Sequence, residues 1–137
     1  MRQWLTINLF WLILPLSTQA FPLIDGQSFV YDVGPQAALT RGSLDAYAGM
    51  YQLRVNNTSY VGEIIGLSPD GRETRSSEFT EPGSGLTVKR AVYVSKTLNF
   101  ARFSEILANP TDQEIAATVE VFGNLGSGNR TTAVIDF

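Results

Sequence analysis

Apolar residues recur at every second position along much of this chain. Ile115, Ala117, Val119 and Val121 fall on one face, and Ala116, Thr118, Glu120 and Phe122 fall on the other. This is the alternation of a half-buried antiparallel strand, whose successive side chains point to opposite sides of the sheet. Leu86, Val88, Val92 and Val94 share a face interrupted by Arg90, and in the next run Phe103 and Leu107 oppose Phe100 and Ile106. Both runs are expected as central strands. Asn109-Pro110-Thr111-Asp112 separates two of these runs, and Pro110 pre-sets φ for a type I turn, so a hairpin corner is expected there. A glycine-rich loop from Gly123 to Asn129 leads to a last alternating run through Thr131, Ala133, Ile135 and Phe137.

The first half is patchier. Ser28 to Val33, Tyr51 to Val55 and Tyr60 to Ile65 read as strands, and Arg72 to Arg75 is a weaker one after the turn Pro69-Asp70-Gly71. The link from Gly34 to Gly49 is expected to be irregular, and Glu81-Pro82-Gly83-Ser84-Gly85 to be the most flexible stretch. No window after Phe21 carries an apolar stripe at helical spacing over three turns. Seven or eight short strands between turn signals indicate an all-β chain, an antiparallel β-sandwich forming a single domain over residues 21–137.

Residues 1–20 have a different pattern. Arg2 precedes an uncharged, mainly apolar run from Trp4 to Leu16, and Ser17-Thr18-Gln19-Ala20 is small and polar. That is the layout of a secretory signal peptide, expected to be cleaved after Ala20. The run is shorter than the roughly 20 apolar residues a bilayer-crossing helix needs, so no membrane span is expected after cleavage. Loss of Arg2 takes the net charge from −3 to −4.

Composition then narrows the chemistry. The 137 residues include no cysteine and no histidine. Disulfides, thiol nucleophiles, thiolate metal sites and the usual general base of serine and cysteine hydrolases are excluded together. Ten basic residues against thirteen acidic ones leave no basic footprint for nucleic acid. An exported domain with no disulfide must be held by its core, which points to the envelope or exterior of a bacterium.

Several segments are more specific than the composition: Arg41-Gly42-Ser43-Leu44-Asp45-Ala46-Tyr47-Ala48-Gly49-Met50, Asp70-Gly71-Arg72-Glu73, Leu86 through Val94, Phe100 through Phe103, Asn109-Pro110-Thr111, and Gly123 through Ser127. Together they resemble an uncharacterised extracellular β-sandwich module of large secreted or surface proteins of proteobacteria, including myxobacteria. The chain departs from that pattern at Ala91, where a second basic residue is usual, and at Ser95, where proline is usual. The resemblance implies location and architecture, with other domains of a larger surface protein as partners. It also implies further strands beyond Ser127, so the chain is expected to be a piece of a larger module, incomplete at its C-terminus. No catalytic role comes with the resemblance.

The candidate site residues are Arg90, Arg102 and Tyr93. Arg90 interrupts a core face, where an unpaired charge is costly. It is either a ligand-facing guanidinium or one half of an ion pair with a neighbouring strand, and the pattern favours the ion pair. Arg102 invites the same two readings. Tyr93 belongs, with Tyr31, Tyr47, Tyr51 and Tyr60, to a set of aromatics that would suit sugar stacking or, more simply, half-burial in a sandwich. Glu63, Glu73, Glu105 and Glu120 offer carboxylates for glycoside hydrolysis, but their spacing selects no pair. Asp25, Asp32, Asp45 and Asp70 form no calcium-binding run, and Asp25-Gly26 and Asp70-Gly71 read as turns. No metal, cofactor or catalytic set is expected. The role expected is structural or adhesion-like, with a carbohydrate-binding or carbohydrate-processing module, and glycan ligands, as the alternative.

Overall fold

The computed structural model describes residues 20–126; the expected signal peptide and the expected last strand lie outside them, apart from Ala20. The chain is all-β and antiparallel. Among the described residues, eleven short strands run in the order β1 (Phe21–Ile24), β2 (Val30–Val33), β3 (Leu39–Gly42), β4 (Gln52–Val55), β5 (Thr58–Ser59), β6 (Ile64–Leu67), β7 (Glu73–Ser76), β8 (Phe79–Thr80), β9 (Thr87–Val94), β10 (Ala101–Ala108) and β11 (Val119–Phe122).

The largest sheet has the order β10-β9-β7-β6, with β8 also paired to β9. β9 is its spine. Val88, Val92 and Val94 point inward with no exposed surface, while Lys89, Ala91 and Tyr93 face outward. Against the inward face lie two smaller sheets, β1-β2-β3 and β11-β4-β5. One core cluster joins Leu23, Tyr31, Val33 and Leu39 to Val92 and Val94; the other joins Leu53, Val55 and Tyr60 to Leu86 and Val88. The sandwich therefore has one continuous layer and one divided layer, and each half of the divided layer has its own core.

Local chemistry fixes the turns. β4 and β5 are joined by Asn56 and Asn57 at φ 49° and 63°, the two left-handed residues a tight hairpin requires and asparagine tolerates. At the expected Pro69-Asp70-Gly71 turn, Gly71 takes φ 69° and Ser68 N–H bonds the Glu73 carbonyl at 2.7 Å. The Ser68 hydroxyl and the Arg72 N–H lower the pKa of Asp70 below the ordinary carboxylate range.

Four expectations are corrected. The link from Gly34 to Gly49 contains β3 and a short 3-10 turn at Ser43–Asp45. Residues 115–118 are not strand, and only Val119–Phe122 pairs. The corner at Asn109-Pro110 does turn, with Thr111 N–H bonding the Asn109 side chain at 2.9 Å. It closes no hairpin, because β11 crosses over to pair with β4. β10, expected to be central, pairs only with β9 among the described residues.

Candidate functional site

Arg90 sits where the divided layer breaks. Its inward position between Val88 and Val92 places it between the two core clusters, and only 2% of the residue is exposed. Glu105 is directly opposite on β10, so the pairing register alone brings carboxylate and guanidinium together. Arg90 Nη2 donates to Glu105 Oε1 at 2.8 Å and to the Tyr51 carbonyl at 2.8 Å, and Nη1 donates to the Gln36 carbonyl at 3.2 Å. Those carbonyls belong to segments that leave regular pairing at the break. Tyr51 itself takes φ 60°, an uncommon conformation for a bulky residue that surrounding contacts must hold. Its ring stacks on Phe103 at 4.1 Å, and Arg90 grips its carbonyl. The guanidinium also lies 5.8 Å from the centre of the Tyr60 ring. This is the ion-pair reading of Arg90, with the two carbonyls as added partners. The residue borders a cleft of about 380 Å³ shared with Gln36, Leu39, Gln52 and Phe122.

Arg102 and Tyr93 lie on the opposite side of the large sheet. They are direct partners in the β9–β10 register, and the Arg102 guanidinium is 5.3 Å from the Tyr93 ring centre. Phe100 is 6.1 Å from that ring, and Glu73 Oε2 is 3.8 Å from Arg102 Nη2. The fold thus brings Arg102 and Tyr93 together on an open outer face and separates both from Arg90. Ala91 leaves that face low at its centre, where Ile65, Arg75, Lys89 and Ile106 border a groove of about 420 Å³.

Glu81 was not among the candidates, yet it is the most heavily hydrogen-bonded side chain described. It is buried, and its two oxygens accept from Asn56 Nδ2 (3.0 Å), Thr58 Oγ1 (3.2 Å), Gly83 N (2.8 Å), Ser84 N (2.8 Å) and Ser84 Oγ (2.5 Å). The Ser84 hydroxyl, the Gly83 N–H and the Asn56 amide together lower its pKa from 4.5 to about 2. The stretch expected to be the most flexible is therefore clamped to the β4–β5 hairpin. The available signal was an acid followed at the second and third positions by small residues with free N–H groups.

The other carboxylates are dispersed. Glu105 pairs with Arg90, Glu120 with Arg54 at 3.3 Å, and Glu73 with Arg102. Among the described residues no three His, Cys, Asp or Glu side chains are grouped so as to hold a metal ion, and no helix is long and apolar enough to cross a membrane. Tyr47, Tyr51 and Tyr93 are half-buried, as expected, while Tyr31 and Tyr60 are buried; Tyr60 bonds Ser76 and the Ser77 carbonyl, and burial raises its phenol pKa. The chain matches no family model, no curated protein and no solved structure.

Proposed function

We infer that this is an exported, non-catalytic β-sandwich module with a structural or adhesion-like role in the envelope or exterior of a Gram-negative bacterium. The observation that carries the reading is the use made of buried charge. Arg90 joins the two layers, and Glu81 ties a loop to a hairpin. Groups held this way rigidify a scaffold, whereas catalytic groups keep capacity for a substrate. The test is to express the full chain in a Gram-negative host, fractionate the cells, and ask whether beads coated with the exported protein adhere to envelope preparations. Adhesion by folded protein and not by heat-denatured protein is expected. Cytoplasmic retention with residues 1–20 intact, or equal adhesion by denatured protein, would overturn it.

The carbohydrate reading draws on a different observation, the Tyr93–Arg102–Phe100 group on the outer sheet face. A half-buried ring beside a guanidinium, with the exposed Phe100 next to it, suits a sugar that stacks and accepts hydrogen bonds. A glycan array probed with wild type and Tyr93→Ala decides it: signal lost in the variant supports this reading, and no signal from either removes it.

A further inference from the structure

At one end of the sandwich two loops meet because residue 26 is glycine. Gly26 N–H donates to the Leu98 carbonyl at 3.3 Å, and a Cβ on Gly26 would stand 2.5 Å from the Thr97 carbonyl carbon. The 95–100 loop is itself shaped by Ser95, whose Oγ accepts from the N–H groups of Thr97 and Leu98 at 3.3 and 3.0 Å. The result is a cleft of about 440 Å³ whose lining includes Asp25, Gln27, Phe29, Tyr31, Tyr47 and Asn99.

Asp25 gives this cleft its chemistry. The residue is only 7% exposed. Its Oδ1 accepts N–H bonds from Gln27 at 2.8 Å and Phe29 at 3.0 Å, which form the turn. Among the described residues its Oδ2 meets only the Tyr31 hydroxyl at 3.4 Å, well beyond the 2.5–2.7 Å typical of a hydroxyl on a carboxylate. That oxygen retains accepting capacity. No lysine or arginine lines the cleft, and Asp25 has no ion-pair partner among the described residues. Around it stand amides at Gln27 and Asn99, a hydroxyl at Ser43, and three rings, with Phe29 4.9 Å from Tyr31 and 6.2 Å from Tyr47. Burial raises the phenol pKa of Tyr31 and of Tyr47, which keeps both hydroxyls as donors.

We propose that the cleft lined by Asp25, Asn99, Phe29 and Tyr47 is a binding site for a neutral pyranose. A sugar ring offers hydroxyl donors to the free carboxylate oxygen, donor–acceptor pairs to the two amides, and a C–H face to the rings. A purely apolar ligand would cover the Asp25 Oδ2 with nothing but the long Tyr31 contact to satisfy it, at a cost. An acidic sugar would place like charge against the carboxylate. The proposal takes its ligand class from the carbohydrate reading above, at a different location from Tyr93 and Arg102.

The experiment is a nitrogen-15 NMR titration of the purified protein with methyl glucoside, methyl mannoside, methyl galactoside and glucuronate. At least one neutral glycoside is expected to shift the amides of Asp25–Phe29 and Asn99, and glucuronate is expected to leave them unmoved. Asp25→Asn keeps the Oδ1 acceptor, and hence the turn, but should weaken binding about tenfold or more, as expected for loss of a charged hydrogen bond. Asn99→Ala, in an exposed loop, should weaken binding without changing the melting temperature. Shifts confined to the neighbourhood of Tyr93 and Arg102 would overturn this site while upholding the carbohydrate reading. No shift anywhere with any neutral glycoside would overturn both. Unchanged binding in Asp25→Asn, or glucuronate bound as tightly as the neutral sugars, would overturn the role given to Asp25.

Discussion

Replacing Arg90 with methionine keeps the aliphatic stem and removes the guanidinium that joins β9 to β10 and to both sides of the break. The Gln36 and Tyr51 carbonyls lose their donor, and Glu105 loses its counter-charge. A buried carbonyl left unpartnered costs about 1–3 kcal/mol, and stranding one member of a buried ion pair costs about 3–5 kcal/mol. These contributions overlap, and the Glu105 side chain is 19% exposed and can turn toward water. The expected total for Arg90→Met is therefore about 3–5 kcal/mol, a large share of the roughly 5–15 kcal/mol that holds a domain together. Adding Glu105→Met removes the stranded carboxylate, so the double variant should regain at least about 1 kcal/mol over the single one. Urea unfolding followed by far-UV circular dichroism measures both. Tryptophan fluorescence would not serve after export, because Trp4 and Trp11 are the only tryptophans in the chain. A loss below about 1 kcal/mol with an unchanged denaturant slope would mean that water already satisfies the two carbonyls. A double variant less stable than the single one would refute the dependence of Glu105 on Arg90.

Glu81 predicts a pH dependence: a carboxylate lowered from 4.5 to about 2 adds stability that is fully present above 4.5 and is lost as pH falls from there toward 2. Thermal melts over that range should show a falling melting temperature in wild type and a flatter profile in Glu81→Gln, and parallel profiles would refute the clamp. Asn57→Gly should stabilise the protein by about 0.3–1 kcal/mol in the same denaturation assay, since φ 63° suits glycine better than asparagine. Gly62→Ala should destabilise by about 1–3 kcal/mol, because its Cβ would stand 2.3 Å from the buried Tyr60 hydroxyl and push it off Ser76. Export should remove residues 1–20, so intact mass and the disappearance of tryptophan absorbance both report cleavage after Ala20.

The β9–β10 pair was legible in the sequence because its inward apolar residues, Val88, Val92 and Val94 on β9 and Phe103 and Leu107 on β10, follow a period of two. Arg90 was legible for the same reason, as a charge that breaks such a face. β3 was not, since Leu39 is the only buried residue in Leu39–Gly42 and one residue shows no period. The run from Ile115 to Phe122 misled in the other direction. It alternates well, but Val119 and Val121 remain 46% and 48% exposed, so the pattern promised more pairing and burial than the described residues show. Arg102 and Tyr93 could be picked out as residue types, yet their meeting on one face and their separation from Arg90 depend on register. Asp25 was legible only as a turn former, since its turn partners are backbone N–H groups that every sequence supplies equally, and Glu81 was hidden because two of its partners, Asn56 and Thr58, stand 25 and 23 positions away.

The divided layer also determines where the molecule would yield mechanically. β1 belongs to one small sheet and β11 to the other, and among the described residues the backbone connections between them include the Leu39–Met50 bridge, with N–O distances of 2.8 and 2.9 Å in its two directions, the Gly49 N–H bond to the Thr40 carbonyl at 3.4 Å, and the Tyr47–Leu125 bridge. Tension entering at β1 and leaving at β11 would tend to draw the two small sheets apart along the continuous one. The load would fall first on those connections and on the Arg90 bonds to Gln36 and Tyr51. Each half would keep its own apolar cluster against β9 while the break opened. Stretched in this way, the protein would lengthen in a reversible first step before either core is lost, with Arg90 as the latch.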